Sequence, residues 1–191
     1  LADLHLSDRA GTAAAAALQW AVAWLQSHPV DFLAVAGDVT TYGSGPAMDR
    51  VLEACADLPC PVYHTPGNAE RRGVDALALL RSHMAPGRRA AVHGDLLVLL
   101  PDTSKGRLPL VERQWLARTL GKHPAPTRRV VITHYPVDKL LAEDAAWLCA
   151  WMAENGVELL VAGHSHRQRR RELGRCVEVT VPGLDPDKAI G

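Results

Sequence analysis

Five short segments carry side chains suited to binding divalent metals: Asp3-Leu4-His5, Gly37-Asp38, Gly67-Asn68, Thr133-His134 and Gly163-His164-Ser165-His166. Each follows an apolar run that reads as a buried strand, so their donors are expected to converge at one edge of a sheet. Residues two apart in an extended segment share a side, which pairs Asp3 with His5 and His164 with His166. Oxygen and imidazole donors gathered this way suit two divalent ions about 3.5–4 Å apart, an arrangement that serves phosphate ester hydrolysis. Taken singly, the segments say little. Asp38 alone reads as a turn or helix-capping aspartate, and Asn68 beside Gly67 as a turn residue. The order of the whole set carries the reading.

The elements that must position these side chains alternate between short apolar runs and longer helical patterns, which predicts an α/β protein. Leu1 to Leu4 reads as the end of a strand, and Phe32 to Ala36, Val62 to His64, Val130 to Ile132 and Glu158 to Ala162 as further strands. Helices are predicted over Thr12 to Ser27, Pro46 to Leu58, Val74 to His83, Val111 to Leu120 and Glu143 to Asn155. Ala90 to His93 and Leu96 to Leu100 flank Gly94-Asp95, and Arg167 to Leu173 and Cys176 to Val181 flank Gly174-Arg175, each a hairpin signal. Trp20 and Trp24, like Trp147 and Trp151, stand four apart on their helices and are expected to lie in the core or cover a sheet.

With 191 residues, the length favours a single domain over 1–191, its first strand truncated at Leu1. The 21 basic and 21 acidic residues cancel, so no global field draws the chain to nucleic acid or an anionic membrane. No apolar stretch is long enough to span a bilayer. Cys55, Cys60, Cys149 and Cys176 form no CxxC pair and read as reduced structural thiols, which favours a cytoplasmic setting.

In the order D-x-H, G-D, G-N, H, G-H-x-H, the chain resembles the calcineurin-like metallophosphoesterase family along nearly its whole length. The resemblance implies a metallophosphoesterase-type α/β sandwich with mixed sheets flanked by helices. It implies that Asp3, His5 and His166 hold one divalent ion, that Asn68, His134 and His164 hold the other, and that Asp38 bridges them. Manganese, iron, zinc, nickel and cobalt all suit such mixed donors. One position departs from the family pattern: Ala69 stands where a histidine usually follows the Gly-Asn pair and donates a proton to the leaving group. His64, Tyr135 and Glu70 are the groups that could replace it.

The function implied is a dinuclear metal-dependent phosphoesterase, a phosphodiesterase acting on a small phosphodiester through a metal-activated hydroxide. Asn68 and His134 are the candidate catalytic residues, the Asn68 amide donating to a phosphate oxygen, with His64, Arg71 and Arg167 as substrate contacts. The alternatives are a nuclease of the same family, which would need Arg71-Arg72 and the arginines from Arg167 to Arg175 to form one basic track, and a metal-binding scaffold disabled by Ala69. The edge hairpin or a tryptophan face could also support a homodimer.

Overall fold

Thr12 starts the first helix by accepting the Ala15 N–H on its Oγ1 at 3.2 Å. Helix α1 (Ala13–Ser27) then buries Ala14, Leu18, Ala21 and Leu25 at helical spacing. Trp20 and Trp24 fall on the opposite face, 65 % and 44 % exposed, so the expectation that they lie in the core or cover a sheet is corrected by the phase of the helix. The computed structural model describes residues 1–73, 78 and 89–184; the helix predicted over Val74 to His83 lies almost wholly outside them.

Strand β1 (Leu33–Ala36) leads into helix α2 (Gly45–Ala56), which Ser44 caps and Pro46 opens. Strand β2 (Val62–Thr65) runs parallel to β1. The N-terminal segment lies along the other side of β1, with Ala36 N–H donating to the Leu1 carbonyl at 2.8 Å and Asp3 N–H to the Gly37 carbonyl at 3.0 Å. It is not the regular strand that its apolar residues predicted. Left-handed backbone at Asp3 and His5 breaks the ladder, leaving one bridge between Leu6 and Thr40.

The second sheet is built from β3 (Arg89–His93), β4 (Leu96–Leu100), β5 (Arg128–Thr133), β6 (Leu159–Ala162), β7 (Arg169–Leu173) and β8 (Cys176–Thr180), in the order β3-β4-β5-β6-β8-β7. Its inner pairs are parallel and its two edge pairs are the hairpins expected around Gly94 and Gly174. Helix α3 (Leu110–Lys122) precedes β5 and helix α4 (Ala142–Glu154) precedes β6.

The core has three parts. Leu4, Leu18, Val35, Met48 and Val51 pack α1 and α2 on the small sheet, while Leu97, Leu116, Val131, Leu148 and Leu160 pack α3 and α4 on the large one. Ala36, Tyr63, Val98, Leu100 and Ile132 fill the space between the sheets. The result is a mixed α/β sandwich in which the C-terminal ends of β1, β2, β5 and β6 open toward one edge. All four cysteines are free thiols. Among the described residues, no helix is long and apolar enough to cross a membrane.

Candidate metal centre

Among the described residues, five non-glycine positions have left-handed backbone: Asp3 (φ 52°), His5 (49°), Asp38 (49°), His164 (66°) and His166 (52°). All five are sequence-predicted ligands. This conformation costs a side-chain-bearing residue about 1–2 kcal/mol and persists only where the surroundings impose it, commonly at functional sites.

The bends gather donors into two groups, Asp3, His5 and His166 in one and Asp38, His134 and His164 in the other, with ligand atoms within 4.8 Å of one another in each. In the first, His5 Nε2 lies 3.2 Å from His166 Nε2, and Asp3 Oδ1 lies 3.5 Å from His166 Nε2. In the second, Asn68 Oδ1 lies 3.1 Å from both His134 Nε2 and His164 Nδ1, which are 3.3 Å apart. Asp38 faces both groups, with Oδ1 3.3 Å from His134 Nε2 and Oδ2 3.7 Å from His5 Nε2. The structure thus brings together all seven predicted ligands.

The donor set fits two divalent ions. Ligands bonded at ~2.1 Å around one ion stand about 3 Å from their neighbours, close to the separations seen here. Carboxylates supply the negative charge that two adjacent dications require, and the imidazoles complete the shells without adding charge. His134 Nδ1 lies 2.8 Å from the Ala36 carbonyl, so Nδ1 carries the proton and the Nε2 lone pair faces the centre. Burial holds His134 below its usual range and, with the neighbouring His134, lowers His164 to about 4. Both rings are therefore neutral near pH 7, the form that ligates.

Two glycines set the approach of the elements. Gly37 has φ 82°, and a Cβ there would lie 2.6 Å from His134 Nδ1. A Cβ on Gly67 would lie 2.2 Å from the Asp38 nitrogen. The Gly-Asp and Gly-Asn pairs thus reflect a close crossing of two strand ends.

Glu70 has a role that its sequence position did not disclose. It is fully buried and accepts the N–H groups of Asp38 (3.0 Å), Thr40 (2.9 Å) and Gly67 (2.8 Å). Burial pushes its carboxyl up to about 7, while the donors from Thr40 and Gly67 pull the other way. Asp38 Oδ1 in turn accepts the Ala69 N–H at 2.7 Å. Thr103, also absent from the sequence reading, accepts the N–H groups of His134 and Tyr135 on its Oγ1, each at 3.1 Å.

The other predicted contacts separate. Arg167 lines a cavity of about 450 Å³ beside His164. Arg71 lines a smaller one of about 170 Å³ with Asp102, Lys105 and Arg107. His64 is 1 % exposed on β2, with burial lowering it to about 3, and it lines neither of these cavities. Tyr135 stacks on His164 with ring centroids 3.9 Å apart and keeps part of its surface open.

This fold and donor set define a metallophosphoesterase. The calcineurin-like phosphoesterase family model matches residues 1–168, and the chain belongs to that family. The family is dimetal-dependent, and the protein is a metal-dependent hydrolase of phosphate esters. No curated protein sequence matches the chain. Among solved structures, a dimetal phosphatase from Danio rerio superposes with TM-score 0.76 at 17 % identity, covering 97 % of this chain and 86 % of that one. GAP50, the anchor in the inner membrane complex of Plasmodium, gives 0.68 at 13 % identity over 96 % and 70 %. Phosphopantetheinyl hydrolase from Mycobacterium tuberculosis gives 0.60 at 14 % identity over 98 % and 89 %.

Proposed function

We propose that the chain hydrolyses a small phosphodiester at a centre formed by Asp3, His5 and His166 on one side and Asn68, His134 and His164 on the other, with Asp38 between. The observation that carries this reading is the pairing of two compact donor groups across one carboxylate. Two divalent ions bound there would lower the pKa of water and draw charge from the phosphoryl oxygens. The residues do the rest. His134 and His164 present neutral lone pairs, and Asp38 and Asp3 offset positive charge. The Asn68 amide has an N–H free to donate to a phosphate oxygen while its Oδ1 faces the two imidazoles.

The absence of histidine at position 69 favours a diester or another ester with a good leaving group, since general-acid help is worth roughly 10²–10⁴-fold. Of the three residues that could replace it, Glu70 is committed to backbone donors and His64 is enclosed. Tyr135 is the one beside a ligand with open surface, and burial keeps its phenol protonated near pH 7. The likeness to the dimetal phosphatase supports hydrolysis; the likeness to the GAP50 anchor motivates the scaffold alternative.

The test is hydrolysis of bis(4-nitrophenyl) phosphate beside 4-nitrophenyl phosphate by metal-stripped protein, with and without added manganese. Manganese-dependent turnover that favours the diester is expected. Two bound ions with no turnover of either ester would replace this reading by the scaffold one.

A further inference from the structure

The 450 Å³ cavity beside His164 has a wall made by Asp138, Lys139, Ser165, Arg167, Arg169 and Thr180. Three cations face one carboxylate there. That carboxylate is already answered, because Arg169 Nη2 donates to Asp138 Oδ2 at 2.8 Å and Arg171 Nη1 stands 3.7 Å away. Among the described residues, Lys139 and Arg167 enter no ion pair, so two positive charges are left facing the cavity.

The wall is held in place from behind. Glu178 is 1 % exposed and accepts both the Val137 N–H and Arg171 Nη2 at 2.7 Å, which ties the turn carrying Lys139 to the β7–β8 hairpin. Thr180 Oγ1 donates to the Arg167 carbonyl at 2.8 Å, fixing the segment that carries Arg167. Among the described residues of the wall, no phenyl, indole or large aliphatic group offers a surface for a nucleobase. The imidazole of His164 is already stacked on Tyr135.

We propose that this cavity is a subsite for a second phosphate group, with Lys139 and Arg167 as its ligands. The substrate is then a compact compound, such as a polyol or sugar, that carries the scissile ester at one end and a phosphate at the other. Arg167 is suited to paired hydrogen bonds with phosphate oxygens and Lys139 to a point charge beside them. The volume lies within the range of small-ligand sites. This inference rests on the phosphoesterase reading above for the position of the scissile group.

The test is calorimetric titration of manganese-loaded protein with alkane-α,ω-bisphosphonates of three to six carbons and with the alkylphosphonates of matching length. At the best length, the bisphosphonate is expected to bind about tenfold more tightly than the counterpart with a single phosphonate. In the Lys139→Gln, Arg167→Gln double variant, checked for two bound manganese ions, that ratio should fall to about two or less. No preference at any length, or a preference that survives in the double variant, overturns the subsite. The two readings fail separately: a lost preference with ester turnover intact removes only the subsite, whereas a retained preference with no ester turnover removes the hydrolytic reading.

Discussion

The two ligand groups reach the same edge by different means. Asp3, His5 and His166 are all placed by left-handed backbone, and the rings of His5 and His166 then stack with centroids 5.0 Å apart. In the other group, Asp38 and His164 are bent in the same way, but His134 and Asn68 sit on ordinary backbone and are oriented by hydrogen bonds and packing: His134 through Ala36, and the Asn68 turn through Glu70 and the Asp38–Ala69 contact. Backbone bends place every ligand of the first group, while the second depends also on buried polar contacts several residues away. It follows that the second group can be disturbed without touching a ligand.

Asp38→Asn tests what the groups share and should have the largest effect. Removing the charge that faces both is expected to lower turnover by on the order of 10²–10³-fold or more, with the fold retained by circular dichroism. Turnover within a few-fold of the parent would mean that the groups act independently.

Chelation should weaken both groups, since five bent residues then lose the ions that favour their geometry. Removing ligand from a site held at a hundred times its Kd costs about 2.7 kcal/mol, so the apo protein should melt several degrees lower, and differential scanning calorimetry reads this directly.

Glu70→Gln separates the groups. It replaces the carboxylate that accepts N–H groups from Asp38, Thr40 and Gly67, and supporting residues of this kind typically change metal affinity by about 10–100-fold. The manganese ion at the Asn68, His134 and His164 group should therefore lose more affinity in a two-site titration than the other, which Glu70 reaches only through Asp38. Equal weakening of both would show that Glu70 supports the two groups alike.

His64 supplies the smallest effect and a control, being a buried histidine outside both groups. Its folded pKa is depressed to about 3, so the unfolded chain binds the extra proton first as pH falls. The contribution is fully present above about 6.5 and is lost between about 6.5 and 3, at no more than about 1.4 kcal/mol per pH unit. His64→Phe should flatten that limb of a denaturation series; an unchanged limb would show that other groups control acid stability.

Much of this was legible in the chain. Thr12, Ser44 and Pro46 mark helix starts, and Gly94 and Gly174 mark hairpin turns, because capping and left-handed turns depend on a few neighbouring residues. The tryptophans were harder. The same four-residue spacing leaves Trp20 and Trp24 exposed on α1 but buries Trp151 to 6 % on α4, since spacing fixes that two residues share a face and not which face meets the sheet. The arginines of the last hairpin divided in the same way: Arg169, Arg170 and Arg171 pair with Asp138, Glu172 and Glu178, and Arg167 is left facing the cavity.

Residue order alone sets which atoms are available: one D-x-H pair, one H-x-H pair, one aspartate, one asparagine and one further histidine, each placed after an apolar run. Chemistry of that kind is local and survives without knowledge of contacts. Only the tertiary structure decided that Asp38 stands between two groups, that Glu70 is a buried clamp, and that Lys139 and Arg167 share a cavity. Those outcomes join residues far apart in the chain, and their charges and hydrogen bonds acquire meaning only once packing has removed water and fixed the distances.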